Sequence, residues 1–96
     1  MIVIQENELE KAIEEFNNCS IRISFNGIIT GGIEAKKCFC KYDIGSGRIE
    51  IKDTKTDNTM CFEISSLYRI LKDENKMLEL YMDYELRIRI EKIKKL

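Results

Sequence analysis

Two cysteines spaced two apart, Cys38 and Cys40, are the first residues in this chain whose types and spacing could do chemistry. On a β-strand such positions face the same way, which brings both sulfurs within reach of one metal ion. Structural zinc takes four ligands, and the chain holds no histidine, so Cys19 and Cys61 must complete any set. Those two form no second close pair, and Cys61 falls out of phase with Met60, Phe62 and Ile64. The sulfurs therefore read as small apolar side chains kept reduced, and no metal or cofactor is expected. A reactive thiol is disfavoured as well. No two cysteines are separated by two residues at a helix start, and Lys37 and Lys41 project from the face opposite the sulfurs.

Other reactive groups are thin. Without histidine, serine and cysteine triads lose their usual general base. Gly31-Gly32 and Gly45-Ser46-Gly47 lack the spacing, the lysine and the following helix of a phosphate loop, and read as a bulge and a hairpin turn. The carboxylates are interleaved with lysines, as on a solvated surface. No catalytic residue is assigned, and enzymatic activity is not expected.

What remains is a set of contact residues. Tyr81 stands among charges on an otherwise polar strand face, and with Tyr68 and Tyr42 it could form an exposed aromatic patch of the sort found at protein interfaces. Arg87 and Arg89 share one strand face, and Lys92, Lys94 and Lys95 extend the basic run. They suit either an exposed edge strand kept from aggregating by its charge or a contact with an acidic partner, nucleic acid included. Tyr68, Tyr81, Arg87 and Arg89 are the candidate interaction residues.

The elements that must position them follow from periodicity. Asn7 and Glu10 resemble a capping box, and Leu9, Ala12, Ile13 and Phe16 form one helical stripe of about three turns, ending at Asn17-Asn18. The period then changes to two. Ile21, Ile23 and Phe25 predict a strand, Asn26-Gly27 a tight hairpin, and Ile28-Ile29-Thr30 a return strand that bulges at Gly31-Gly32. Cys38, Cys40, Tyr42 and Ile44 make the next alternating set, Ile49 and Ile51 another, and Met60, Phe62 and Ile64 a third. Turns fall at Gly45-Ser46-Gly47 and between Thr54 and Asn58. Segment 65–72 suits a helical turn or a strand with Leu67, Arg69 and Leu71 on one face; a strand is preferred because the next segment needs a partner. From Leu78 to Ile90 every second residue is apolar. One strand of that length would run about 45 Å at roughly 3.3 Å per residue, so it must bend or form a hairpin at Asp83-Tyr84. The last residues, from Ile90 to Lys95, also suit a short helix.

Ile28-Ile29-Thr30-Gly31-Gly32-Ile33, within a helix followed by a bent meander, resembles the second strand of Sm-like RNA-binding barrels. The resemblance covers about a third of the chain and implies a small RNA-binding barrel. Glu34-Ala35-Lys36-Lys37 stands where that family's first motif places an aspartate and an asparagine, so no binding residue is carried over.

Ninety-six residues suffice for one domain, 1–96, and the 44% hydrophobic and 34% charged content is that of a folded chain. The fold class expected is α+β, mainly β: an N-terminal amphipathic helix, then a five- to seven-stranded antiparallel meander. One helix covers too little of such a sheet, so the sheet should curl into a small barrel or pair with a second copy. A net charge of −1 weighs against a nucleic-acid partner. No signal peptide core or membrane span is evident, which points to the cytoplasm. These features lead to the expectation of a non-catalytic protein–protein interaction module, an adaptor, subunit or small inhibitor, associating with an unidentified protein or as a homodimer; the alternative is a small nucleic-acid-binding barrel using the basic C-terminal strand.

Overall fold

A computed structural model describes residues 1–27, 30–64, 67–74, 76–83 and 85–93. A short strand, β1 (Ile2–Val3), precedes a single 3-10 turn at Glu6–Glu8 and the helix α1 (Leu9–Glu14). The helix starts earlier than Asn7 suggests: the Gln5 backbone N–H donates to Glu8 Oε1 at 3.2 Å, which closes the cap two residues upstream. Its α-helical part is correspondingly short. The expected stripe of Leu9, Ala12, Ile13 and Phe16 is buried. Asn18 ends the segment in the left-handed conformation, φ 65°, which asparagine tolerates better than most residues.

Eight further strands follow among the described residues: β2 (Ile21–Asn26), β3 (Gly31–Ala35), β4 (Cys38–Asp43), β5 (Arg48–Asp53), β6 (Thr59–Glu63), β7 (Leu67–Asp73), β8 (Met77–Met82) and β9 (Leu86–Lys92). They form two antiparallel sheets, one of order β1-β7-β8-β9-β2-β3 and one of order β4-β5-β6. The strands do not form one meander, because β9 returns to pair with β2 and β1 adds to β7. Among the described residues the sheets do not close into the expected barrel. The cover that one helix cannot supply comes from the second sheet: Cys38, Cys40, Tyr42, Ile49 and Ile51 join Ile21, Ile23, Leu78, Leu80, Ile88 and Ile90 in one core. Each fully buried Ile or Leu adds about 1.5–3 kcal/mol of transfer free energy. No helix among the described residues is long and apolar enough to cross a membrane.

The free edge of β4 is sealed by the chain leaving α1. Asn17 Oδ1 accepts the Cys40 N–H at 2.6 Å, Cys19 O accepts the Cys38 N–H at 2.9 Å, and the Asn18 N–H donates to Cys38 O at 2.8 Å. Ile44 departs from the expected alternation: it lies past the end of β4 in the turn and is exposed.

The hairpin after β2 is not a two-residue turn. Phe25 pairs with Gly31, so Asn26-Gly27 alone does not make the turn; Ile28 and Ile29 lie outside the described residues. The supposed return strand therefore starts at Gly31, and its register runs evenly through Gly31 and Gly32 without a bulge. Gly27 serves a different need, since a Cβ there would run into the Glu85 carbonyl of the β8–β9 turn.

Segment 65–72 resolves as a strand from Leu67, with Ser65 and Ser66 outside the described residues. A register shift between Leu67 and Arg69 places a bulge at Tyr68, so Leu67 and Ile70 serve the inner face while Arg69 and Leu71 face outward. The long alternating segment folds back as a hairpin, Met82 pairing with Leu86. Its turn holds Asp83 and Glu85, with Tyr84 outside the described residues, as are the last three residues, 94–96, on which the expected C-terminal helix partly falls.

Candidate functional site

The β8–β9 hairpin positions the candidate residues. Tyr81 lies opposite Arg87 and Glu79 opposite Arg89, all on the face of the six-stranded sheet turned away from the core. Arg69 of β7 lies opposite Tyr81 on the other side. Leu78, Leu80, Ile88 and Ile90 alternate with these residues and are buried, which locks the register and holds the polar set outward.

The bulge at Tyr68 turns its ring onto this face, 63% exposed, with its centroid 6.3 Å from that of Tyr81 and the planes tilted by 53°. The guanidinium carbons of Arg69 and Arg87 each lie 6.0 Å from the Tyr81 centroid. At that distance a cation and a ring attract through the ring quadrupole. Tyr81 is thus flanked by two cations and one ring, while Tyr68 remains open.

At the centre is Glu79, which sequence reasoning counted only among the polar residues of its strand. It is 4% exposed, although it stands on the solvent side of the sheet. The Tyr81 hydroxyl donates to Glu79 Oε2 at 2.8 Å, Arg89 Nη2 donates to Oε1 at 3.5 Å, and Arg87 Nη1 lies 3.8 Å from Oε2. A buried carboxylate survives when it is hydrogen-bonded and paired with cations. Here it orients three side chains at once. The signal that could have found it is the pairing of Glu79-x-Tyr81 with Arg87-x-Arg89 across a hairpin, visible only once the turn is set at residues 83–85.

Two readings of these residues need correction. Strand β9 lies between β8 and β2 rather than at an edge, so Arg87 and Arg89 do not guard an exposed strand edge. Tyr42 is not part of the aromatic patch. It shares the inward face of β4 with Cys38 and Cys40, and its hydroxyl meets Glu6 Oε1 at 3.4 Å. Burial, with Glu6 beside it, raises its phenol pKa.

The cysteines are all free. Burial pushes the Cys38 thiol up to about 11 and the Cys40 thiol up to about 12, so neither is a ready nucleophile. Cys61 is exposed on β6 and Cys19 half-buried after α1. Among the described residues no group of three His, Cys, Asp or Glu side chains could hold a metal ion.

A shallow, open depression of about 440 Å³ lies along this face, lined by Asn26, Gly27, Tyr68, Tyr81, Glu85 and Arg87 among others. A second hollow, lined by Ser24, Asn26, Thr30, Arg87 and Arg89, adjoins it at Asn26 and Arg87. The arrangement presents aromatic surface and guanidinium donors on an open face. Comparison with protein-family models, with curated proteins and with solved structures finds no match.

Proposed function

We propose that this protein is a non-catalytic interaction module that docks an acidic segment of a partner protein on the Tyr68–Tyr81–Arg87–Arg89 face. The observation that carries the reading is the buried Glu79, which takes the Tyr81 hydroxyl at 2.8 Å and draws Arg89 and Arg87 to 3.5 and 3.8 Å, beside the open ring of Tyr68. Pre-ordered arginine and tyrosine side chains are what protein interfaces favour, because little rotamer entropy is left to lose on binding. A second copy of the chain is the simplest partner for the sheet itself: among the described residues no strand lies beside the outer edge of β3, and four of its five residues are exposed. An exposed free thiol on Cys61 suits a reducing compartment such as the cytoplasm.

Single-stranded nucleic acid is the second reading, favoured by aromatic rings beside arginines on an open sheet face. Two features weigh against it. Tyr81 already has cations near its ring, and the charge of Arg87 and Arg89 is partly matched by Glu79.

The test pairs wild type with a Tyr68→Ser, Arg69→Ser variant, which leaves the Glu79 contacts in place. Each serves as bait in extract from the protein's own cells, beside a Lys41→Ser control on the other sheet. A partner retained by wild type and control but lost by the double variant supports the reading. Light scattering of the purified protein at two salt concentrations, with absorbance at 260 and 280 nm, separates the alternatives. Salt-sensitive species carrying nucleic acid would replace the protein-partner reading with the second one.

A further inference from the structure

We propose a second binding site at the other end of β9, a lysine-lined cleft that takes a small phosphate-bearing ligand. Lys36 and Lys37 form the corner between β3 and β4, Lys55 sits in the turn after β5, and Lys92 ends β9. Lys36, Lys37 and Lys55 line one cleft of about 260 Å³ together with Ser20, Ala35 and Ile93. Lys37 and Lys92 line the hollow beside it, which shares Ser20 and Ile93.

The four lysines come from three places in the chain, and the fold brings them together. The Asp53 carboxylate accepts backbone N–H groups from Lys36 at 3.2 Å, Lys55 at 2.9 Å and Thr56 at 3.2 Å. The Thr54 hydroxyl donates to the Lys37 carbonyl at 2.6 Å. These bonds tie the β3–β4 corner to the β5–β6 turn and hold Lys37 in the left-handed conformation, φ 47°. Asp53 thus meets backbone N–H groups instead of lysine side chains. Glu34, the one acid lining the cleft, receives Arg22 Nε at 3.3 Å and Nη2 at 2.8 Å.

Three other lysines are matched, Lys52 with Asp57, Lys72 with Glu15 and Lys76 with Glu74, whereas Lys11 and Lys41 stand singly on other surfaces. Among the described residues, Lys36, Lys37, Lys55 and Lys92 form no such ion pair, and the Lys92 ammonium sits 5.7 Å from the Phe16 ring centroid. With Glu34 paired to Arg22 and Asp53 the other carboxylate at hand, the four lysines leave a local excess of positive charge, which raises the potential and draws in a multivalent anion. Ammonium groups bind phosphate as point charges from several directions, without the flat fork geometry an arginine requires. The cleft is smaller than the roughly 300–1,000 Å³ of sites for drug-sized ligands. Its apolar lining, Ala35 and Ile93, suits a short carbon body attached to the phosphate.

The site is tested by titrating isotope-labelled protein with inorganic pyrophosphate at constant ionic strength, following backbone amide shifts, with sodium sulfate as control. Saturable shifts at Lys36, Lys37, Lys55 and Thr56 are expected, with sulfate far weaker. Lys37→Gln and Lys55→Gln each weaken binding about three- to fivefold, the scale of one exposed charge contact. Lys41→Gln leaves it unchanged. Non-saturating shifts, or shifts that sulfate reproduces, overturn the site. A short single-stranded oligonucleotide is titrated in parallel to separate a free phosphate from a nucleic-acid chain. Oligonucleotide shifts that vanish in the Lys37 and Lys55 variants keep the site and make a chain its phosphate source. Shifts confined to Arg87 and Arg89 with either probe overturn the site.

Discussion

Replacing Glu79 by glutamine removes one negative charge from beneath the arginine–tyrosine face while keeping the shape of the side chain. The Tyr81 hydroxyl, 2.8 Å away, keeps an acceptor, but a charged one becomes neutral. Hydrogen bonds to charged groups contribute about 1.5–3 kcal/mol against about 1 for neutral ones, so roughly 1 kcal/mol is lost there. The contacts with Arg89 at 3.5 Å and Arg87 at 3.8 Å are long, and both arginines are more than a third exposed. Each then adds only a few tenths of a kcal/mol. Relief of the buried charge's desolvation works in the opposite direction. The expected net loss is about 0.5–1.5 kcal/mol, equivalent to a fall of roughly 3–10 °C in melting temperature for a domain of this size. Urea unfolding of wild type, Glu79→Gln, Arg89→Gln and the double variant measures both the loss and the coupling, with the double variant less destabilised than the sum of the singles. A Glu79→Gln protein as stable as wild type, or more so, would refute the reasoning, because the acid would then cost as much in lost hydration as its partners return.

Three further outcomes follow from the geometry. Gly27→Ala is expected to destabilise by about 2–4 kcal/mol in urea unfolding, since its Cβ meets backbone at Glu85 and no side chain can yield; a loss under about 0.5 kcal/mol would mean that the two turns separate easily. Thiol labelling of the native protein should modify Cys61 quickly and leave Cys38 and Cys40 protected until the chain unfolds. Above the ordinary thiol value of 9.0 the unfolded chain gives up thiol protons that folded Cys38 and Cys40 retain to about 11 and about 12. Stability is therefore complete below pH 9 and falls as pH rises through that window, by up to about 1.4 kcal/mol per pH unit for each thiol. A Cys40→Ala variant should show a flatter decline between pH 9 and 11, and an identical slope would count against the buried thiol.

Much of the fold was legible because its strands are half-buried. Alternation at Ile21-Ile23, Cys38-Cys40-Tyr42, Ile49-Ile51 and Leu78-Leu80-Met82 marks faces that do point inward. The two-residue strand β1 carries too little pattern to register, and its pairing with β7 is a matter of tertiary contact. Periodicity also says nothing about strand order, so the central place of β9 and the separate β4–β6 sheet were invisible. A bulge shifts phase by one residue, which is why Arg69 and Leu71 face the opposite way from Leu67. Tyr42 was misplaced for a simpler reason: its own strand phase puts it with Cys38 and Cys40, and its hydroxyl can be buried because Glu6 meets it.

The position of Glu79 bears on why the face would be used. A sheet surface meant only for solvent needs no buried acid, since lysines and glutamates pointing into water meet their hydration needs at no structural cost. Burying a carboxylate costs several kcal/mol unless it is partnered, and its partners here are Tyr81 at 2.8 Å and, at longer range, Arg89 and Arg87. The same contacts that stabilise Glu79 remove rotamer freedom from the three side chains best suited to grip an acidic partner, while Tyr68 and Arg69 remain exposed beside them. An acidic group arriving on this face competes with Glu79 for guanidinium donors that still have unused N–H groups. Binding should therefore weaken with salt yet persist, since ring contact at Tyr68 is insensitive to screening. A face whose binding vanished entirely at high salt would be acting through charge alone, and the ordered tyrosine pair would then have no part in recognition.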